Sequence, residues 1–188
     1  MKKRIISRYE HTDDGRLIID VATPRIQELY NNFDKTAPFL KRDLDEDLVD
    51  YLTSCAKEIG TLRFIIRIAP EQPPSEKIVD RIKNSMRNYF LYVTELEKRK
   101  MASMLRTSLR LFAMGIAILV AAIWVNRLVG DNPRVIVQVF AEGLTVAALV
   151  ALWEAVATFL VEWAPEKRNI RIYQRLAAAP VKLVLPKE

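Results

Sequence analysis

Four polar residues, Gln138, Glu142, Glu154 and Glu162, interrupt an otherwise apolar run from Val135 to Trp163. Carboxylates in such surroundings must be paired, protonated or put to use. Folding the chain back on itself about Asp131 sets Glu154 beside Ser108, within reach of Arg106 and Arg110, and sets Glu162 beside Lys100. These two acids therefore read as ion pairs at the inner end of a helical hairpin. The same register places Glu142 opposite Val120, with no basic residue at that level. Three uses stay open for it: a protonated carboxyl hydrogen-bonded within the bundle, a polar contact across an oligomer axis with Gln138 one turn away, or part of an ion or proton path. Gly143 beside it is small enough for a second helix to approach.

Other chemistry is thinly represented. His11 is the single histidine and stands beside a turn, which leaves an imidazole-based triad or zinc site without a second imidazole. Cys55 is the single cysteine, falls on the apolar side of an expected helix and reads as a small core residue. Asp43, Asp45 and Asp47 resemble a metal cluster in composition, but the glycine and terminal glutamate of a calcium loop are missing, and acids here favour a helix N-terminus. There is no glycine-rich phosphate loop. The expectation is a protein with no catalytic residues, no metal and no cofactor, hence not an enzyme.

The elements that must position these residues fall into two parts. Asp13-Asp14-Gly15 is a turn composition, and the β-rich pieces Arg4 to Glu10 and Arg16 to Ala22 flanking it suggest a β-hairpin. Thr23-Pro24 opens a short helical segment. Leu44, Leu48, Leu52, Cys55 and Ile59 follow helical spacing, and Gly60 ends that run. Thr61 to Ala69 alternates as a strand, which Pro70 terminates. From Ser75 to Val129 there is no proline and only Gly115 among the glycines, so one helix of roughly 80 Å is expected at 1.5 Å per residue. Val181 to Leu185 reads as a strand returning to the N-terminal sheet, because its apolar residues would otherwise stay exposed.

Two apolar segments within this order are long enough to cross a bilayer. Arg110 and Arg127 stand about 25 Å apart along a helix, so their side chains can reach opposite interfaces of a hydrocarbon core about 30 Å thick. Lys98, Arg99, Lys100, Arg106 and Arg110 precede the first span and Lys167, Arg168, Arg171 and Arg175 follow the second, whereas Arg127 and Arg134 alone flank the turn. Both termini are accordingly expected in the cytoplasm. The net charge of +6 is placed where anionic lipid headgroups would sit, so membrane lipids are the expected partners and nucleic acid is not. Gly143, Ala147, Ala148, Ala151, Ala155 and Ala157 make much of the second span small-sided, which suits a tight hairpin, a homo-oligomer or both.

Short stretches carry a resemblance: Asn32-Phe33-Asp34, Lys41-Arg42-Asp43-Leu44-Asp45, Asn88-Tyr89-Phe90, Glu142-Gly143-Leu144, Ala151-Leu152-Trp153 and Ile172-Tyr173. In these the chain resembles an uncharacterised family of bacterial two-span inner-membrane proteins, which implies architecture and no activity. The expected fold is an α+β membrane protein with a cytoplasmic α+β domain (1–74), a stem helix (75–106), two transmembrane helices (107–129 and 135–163) around an external turn (130–134), and a cytoplasmic C-terminal segment (164–188). The expected role is a homo-oligomeric scaffold or accessory protein of the bacterial inner membrane. An oligomeric ion or proton channel or transporter with Glu142 on the path is the alternative.

Overall fold

A computed structural model describes residues 6–34, 37–38, 41–72, 75–129 and 135–184. The expected external turn at 130–134 lies outside the described residues. The chain divides into two compact units, one formed by residues 1–96 and 169–188 and the other by residues 97–168.

The first unit is built on a parallel sheet of strands β1 (Leu17–Thr23), β2 (Phe64–Pro70) and β3 (Val181–Leu183), in that spatial order. Leu17 pairs with Phe64 and Thr23 with Pro70, while Ile66 and Ile68 pair on their other side with Val181 and Leu183. The expected return of the C-terminal strand to the sheet is present. The expected N-terminal hairpin is reduced to its turn. Gly15 takes φ +76° and its N–H donates to Thr12 O at 2.8 Å, but among the described residues the pairing beyond the turn is an isolated antiparallel bridge between His11 and Leu17, with Ile18 N–H donating to Glu10 O at 2.9 Å. The physical reason is visible in β1 itself. Leu17, Ile18, Ile19 and Val21 are all buried, so the strand is apolar on both faces, as strands of parallel sheets are, and it pairs with β2 instead of folding onto its own leader.

Helix α1 (Glu46–Ile59) connects β1 to β2. Asp45 caps it, its side chain accepting from the N–H groups of Asp47 (3.1 Å) and Leu48 (3.3 Å), and Glu46 and Asp47 lie in the first turn. The acids weighed above as a metal cluster thus serve a helix N-terminus. Gly60 ends the helix at φ +69°, a conformation that other residues adopt at a cost. Helices α2 (Glu76–Val129) and α3 (Val135–Ala178) form the connection from β2 to β3.

Because the sheet order follows chain order, right-handed crossovers place every connecting helix on the same face. The core agrees. Leu17, Ile19 and Val21 of β1 and Phe64, Ile66 and Ile68 of β2 point to one side, where Leu52 and Ile59 of α1, Ile82, Met86 and Phe90 of α2, and Ile172 and Leu176 of α3 cover them. Phe90 is fully buried, meets Tyr89 edge-on at 5.5 Å and stacks on Tyr173 at 6.4 Å.

Arg175 secures this unit from α3. Its guanidinium donates to the carbonyl oxygens of Ala56, Gly60 and Leu62 and lies 4.9 Å over the Phe64 ring. It thereby neutralises the partial negative charge at the C-terminal end of α1. The sequence grouped Arg175 with the charges flanking a membrane span, and the structure gives it this internal work instead. On the other face of the sheet Arg67 bonds Asp20 and Glu10.

Candidate functional site: the apolar helical hairpin

The second unit holds the parts of α2 and α3 in which the polar residues singled out above reside. Both helices are long and apolar enough to cross a membrane: an 18-residue window within Lys77–Val125 has mean hydropathy 2.1 and one within Glu142–Leu160 has 1.9. Only 17% and 11% of those windows is buried, so large apolar side chains face outward. Trp124 and Trp153 are exposed, as are Leu109, Phe140, Val146 and Leu160.

A narrow seam of small residues lets the helices meet. Among the described residues of this unit, the buried positions on α2 are Ser108, Gly115 and Ala122, spaced by seven, and on α3 they are Ala148 and Ala155, again spaced by seven. Met104, Leu111, Ile118 and Val125, three residues on from Met101, Ser108, Gly115 and Ala122, are half-buried. This is the heptad pattern of a left-handed coiled pair, with small side chains in place of the usual large ones. Gly115 is a point of close approach. A Cβ there would stand 2.9 Å from Leu152 Cγ and 3.2 Å from the Leu152 backbone nitrogen.

The inner end of the hairpin carries a charged cluster. Lys100 Nζ lies 2.6 Å from Glu166 Oε1, and Glu97, one turn before Lys100, is hydrogen-bonded to Glu166. Burial, the shared hydrogen bond and the neighbouring negative charge all push the Glu97 carboxyl above its ordinary range, and Lys100 opposes them only in part.

These contacts correct the expected register. Lys100 meets Glu166 and Gly115 meets Leu152, so the helices are offset by about one turn from a fold centred on Asp131. The reason lies in packing: close approach at Gly115 and the heptad seam set the alignment, and hydropathy does not display them. Glu154 in turn does not reach the arginines assigned to it. It is exposed, Arg106 donates to Ala102 O on its own helix at 3.2 Å, and Arg110 is also exposed. The side chains of Glu162 and Gln138 lie outside the described residues.

Glu142 and Gly143 are both exposed on the outer surface of α3, and a Cβ added to Gly143 would meet nothing within 4 Å. Of the small residues proposed for close packing, Ala148 and Ala155 are in the seam, whereas Gly143 and Ala147 face away from it. The contribution of α2, from Ser108 through Gly115 to Ala122, was missed in the sequence. Its signal was the seven-residue spacing and the presence of a lone glycine in a helix of 54 residues.

Comparison with protein-family models, curated proteins and solved structures returned no match.

Proposed function

We propose that this chain is an integral protein of the bacterial inner membrane in which a two-helix hairpin anchors a cytoplasmic α+β domain, and that it works as a homo-oligomeric scaffold or accessory protein without enzymatic activity. The observation that carries this reading is the division of small residues on α3. Ala148 and Ala155 are used within the hairpin, and a second small face, Gly143 and Ala147, is left outward among apolar side chains. In lipid, helix association rests on close van der Waals approach, and a second small face fits a second copy.

Connectivity supports the placement of both flanks on one side of the membrane. The two apolar helices lie between β2 and β3, which are adjacent strands of one sheet, so the chain between them must cross a bilayer an even number of times. The basic flanks then favour the cytoplasmic side.

The test is oligomeric state in mild detergent. The wild-type chain is expected as a defined oligomer, and Gly143→Leu is expected to yield monomer with an unchanged melting temperature, since nothing in the hairpin touches that position. A monomeric wild type, or an oligomer indifferent to Gly143→Leu, would refute the proposal. The second reading, a channel or transporter, is favoured by one observation, the exposed Glu142 beside Gly143, which an oligomer joined on this face would draw toward its interface. Proton or cation flux in liposomes that Glu142→Gln abolishes would select it.

A further inference from the structure

Within the sheet-bearing unit, a cavity of about 650 Å³ opens at the N-terminal ends of the strands. Its walls come from three separate chain segments: Asp14 and Arg16 before β1, the Thr61–Phe64 connection into β2, and Arg175 with the Ala178–Pro180 connection into β3. Three guanidiniums line it against one carboxylate. Their commitments differ. Arg175 is occupied by the carbonyls of Ala56, Gly60 and Leu62, where it offsets helix-end charge. Arg16 pairs through one terminal nitrogen with Asp14 at 2.5 Å, but its Nε is buried and bonds to no protein acceptor. Among the described residues Arg63 has no ionic partner and is exposed at the cavity wall. Thr61 adds a hydroxyl, and Leu62 and Phe64 add an apolar floor.

A buried guanidinium N–H without an acceptor is costly, so the fold tolerates Arg16 here at the expense of stability. Guanidinium forks are the groups a tetrahedral oxyanion accepts from in paired hydrogen bonds, and Arg63 carries one uncommitted at the cavity wall. The Asp14 carboxylate offsets one of the three positive charges, Arg16, which leaves the cavity lining net positive. We propose that this cavity binds a phosphate group, held by Arg16 and Arg63, with Leu62 and Phe64 against whatever apolar part the ligand carries. The same chemistry is offered by a phospholipid headgroup and by free phosphate.

The full-length protein in a neutral detergent is the material for the test. Thermal unfolding is followed against inorganic phosphate, with chloride at equal ionic strength as control, and separately against a short-chain phosphatidylglycerol with the matching phosphatidylcholine as control. A saturable rise in melting temperature with either probe supports the site. Saturation by inorganic phosphate identifies a free-phosphate ligand, and a response confined to the phosphatidylglycerol arm identifies a lipid headgroup. Arg63→Ala is expected to weaken the apparent affinity at least tenfold, and Lys182→Ala, a basic residue outside the cavity, is expected to leave it unchanged. Among the described residues the Arg63 side chain makes no bond, so its variant remains interpretable if Arg16→Gln does not fold. No saturable shift with either probe, or a shift of equal affinity in wild type and Arg63→Ala, overturns the proposal.

Discussion

Replacing Gly115 with alanine puts a methyl group into a tight point of the helical seam. The added Cβ would lie 2.9 Å from Leu152 Cγ, 3.0 Å from Cδ2 and 3.2 Å from the Leu152 backbone nitrogen. The Leu152 side chain can rotate away, but the backbone nitrogen moves only if the helices part. Two effects compete. Alanine gains about 0.5–1 kcal/mol over glycine in a helix interior, and overpacking a well-packed site costs about 1–3 kcal/mol. Since one of the obstructing atoms belongs to the backbone, overpacking wins, and a net loss of about 1–2 kcal/mol is expected. The assay is reversible unfolding of the full chain in mixed micelles, with Gly143→Ala as control. Gly143 is open on every side, so that control keeps the helix gain and is expected to be neutral or stabilising. Adding Leu152→Ala should recover part of the Gly115→Ala loss, giving a coupling of about 1 kcal/mol between the two sites. A Gly115→Ala protein as stable as wild type, or a loss unaltered by Leu152→Ala, would refute the assignment of this contact.

Two other perturbations test features outside the apolar segments. Arg175→Lys keeps the charge but loses the fork that reaches three carbonyl oxygens and the stacking on Phe64, so the sheet-bearing unit is expected to lose about 2–4 kcal/mol by chemical denaturation, with lysine rescuing little. Glu97 sets a pH dependence: its folded-state pKa is raised, so the folded chain binds its proton more tightly than the unfolded chain does. Stability from this group is therefore full below the unfolded glutamate range and is lost as pH rises through the higher folded value. Melting curves between pH 4 and pH 8 should show the hairpin most stable at the acidic end, and Glu97→Gln should flatten that slope and stabilise the neutral form.

The sequence displayed what depends on composition along the chain and hid what depends on contact across it. The unbroken helix from Glu76 to Val129 was readable because proline is absent and glycine occurs once. The α1 cap at Asp45 and its end at Gly60 follow from local chemistry, and Val181 to Leu183 joined the sheet because an apolar tail seeks an edge. The N-terminal hairpin was expected from its turn composition, although Ile18 beside Leu17 and Ile19 already marked β1 as apolar on both sides. Pairing across the hairpin failed for a different reason. A shift of one turn leaves the hydropathy profile unchanged while it brings Glu166 to Lys100 and Leu152 to Gly115. Only the steric demand of Leu152 on Gly115 separates the two alignments.

The position of both long helices between adjacent strands sets a schedule for biosynthesis. About 110 residues separate the end of β2 from the start of β3. At about 5–20 residues per second, one edge of β2 waits roughly 5–20 s for its neighbour. Throughout that interval Ile66 and Ile68 have backbone groups open to any passing strand. The sheet closes only after the whole hairpin has been made, so a nascent chain stalled partway through it is held with an adhesive edge, and completion of the domain records that both helices have been synthesised.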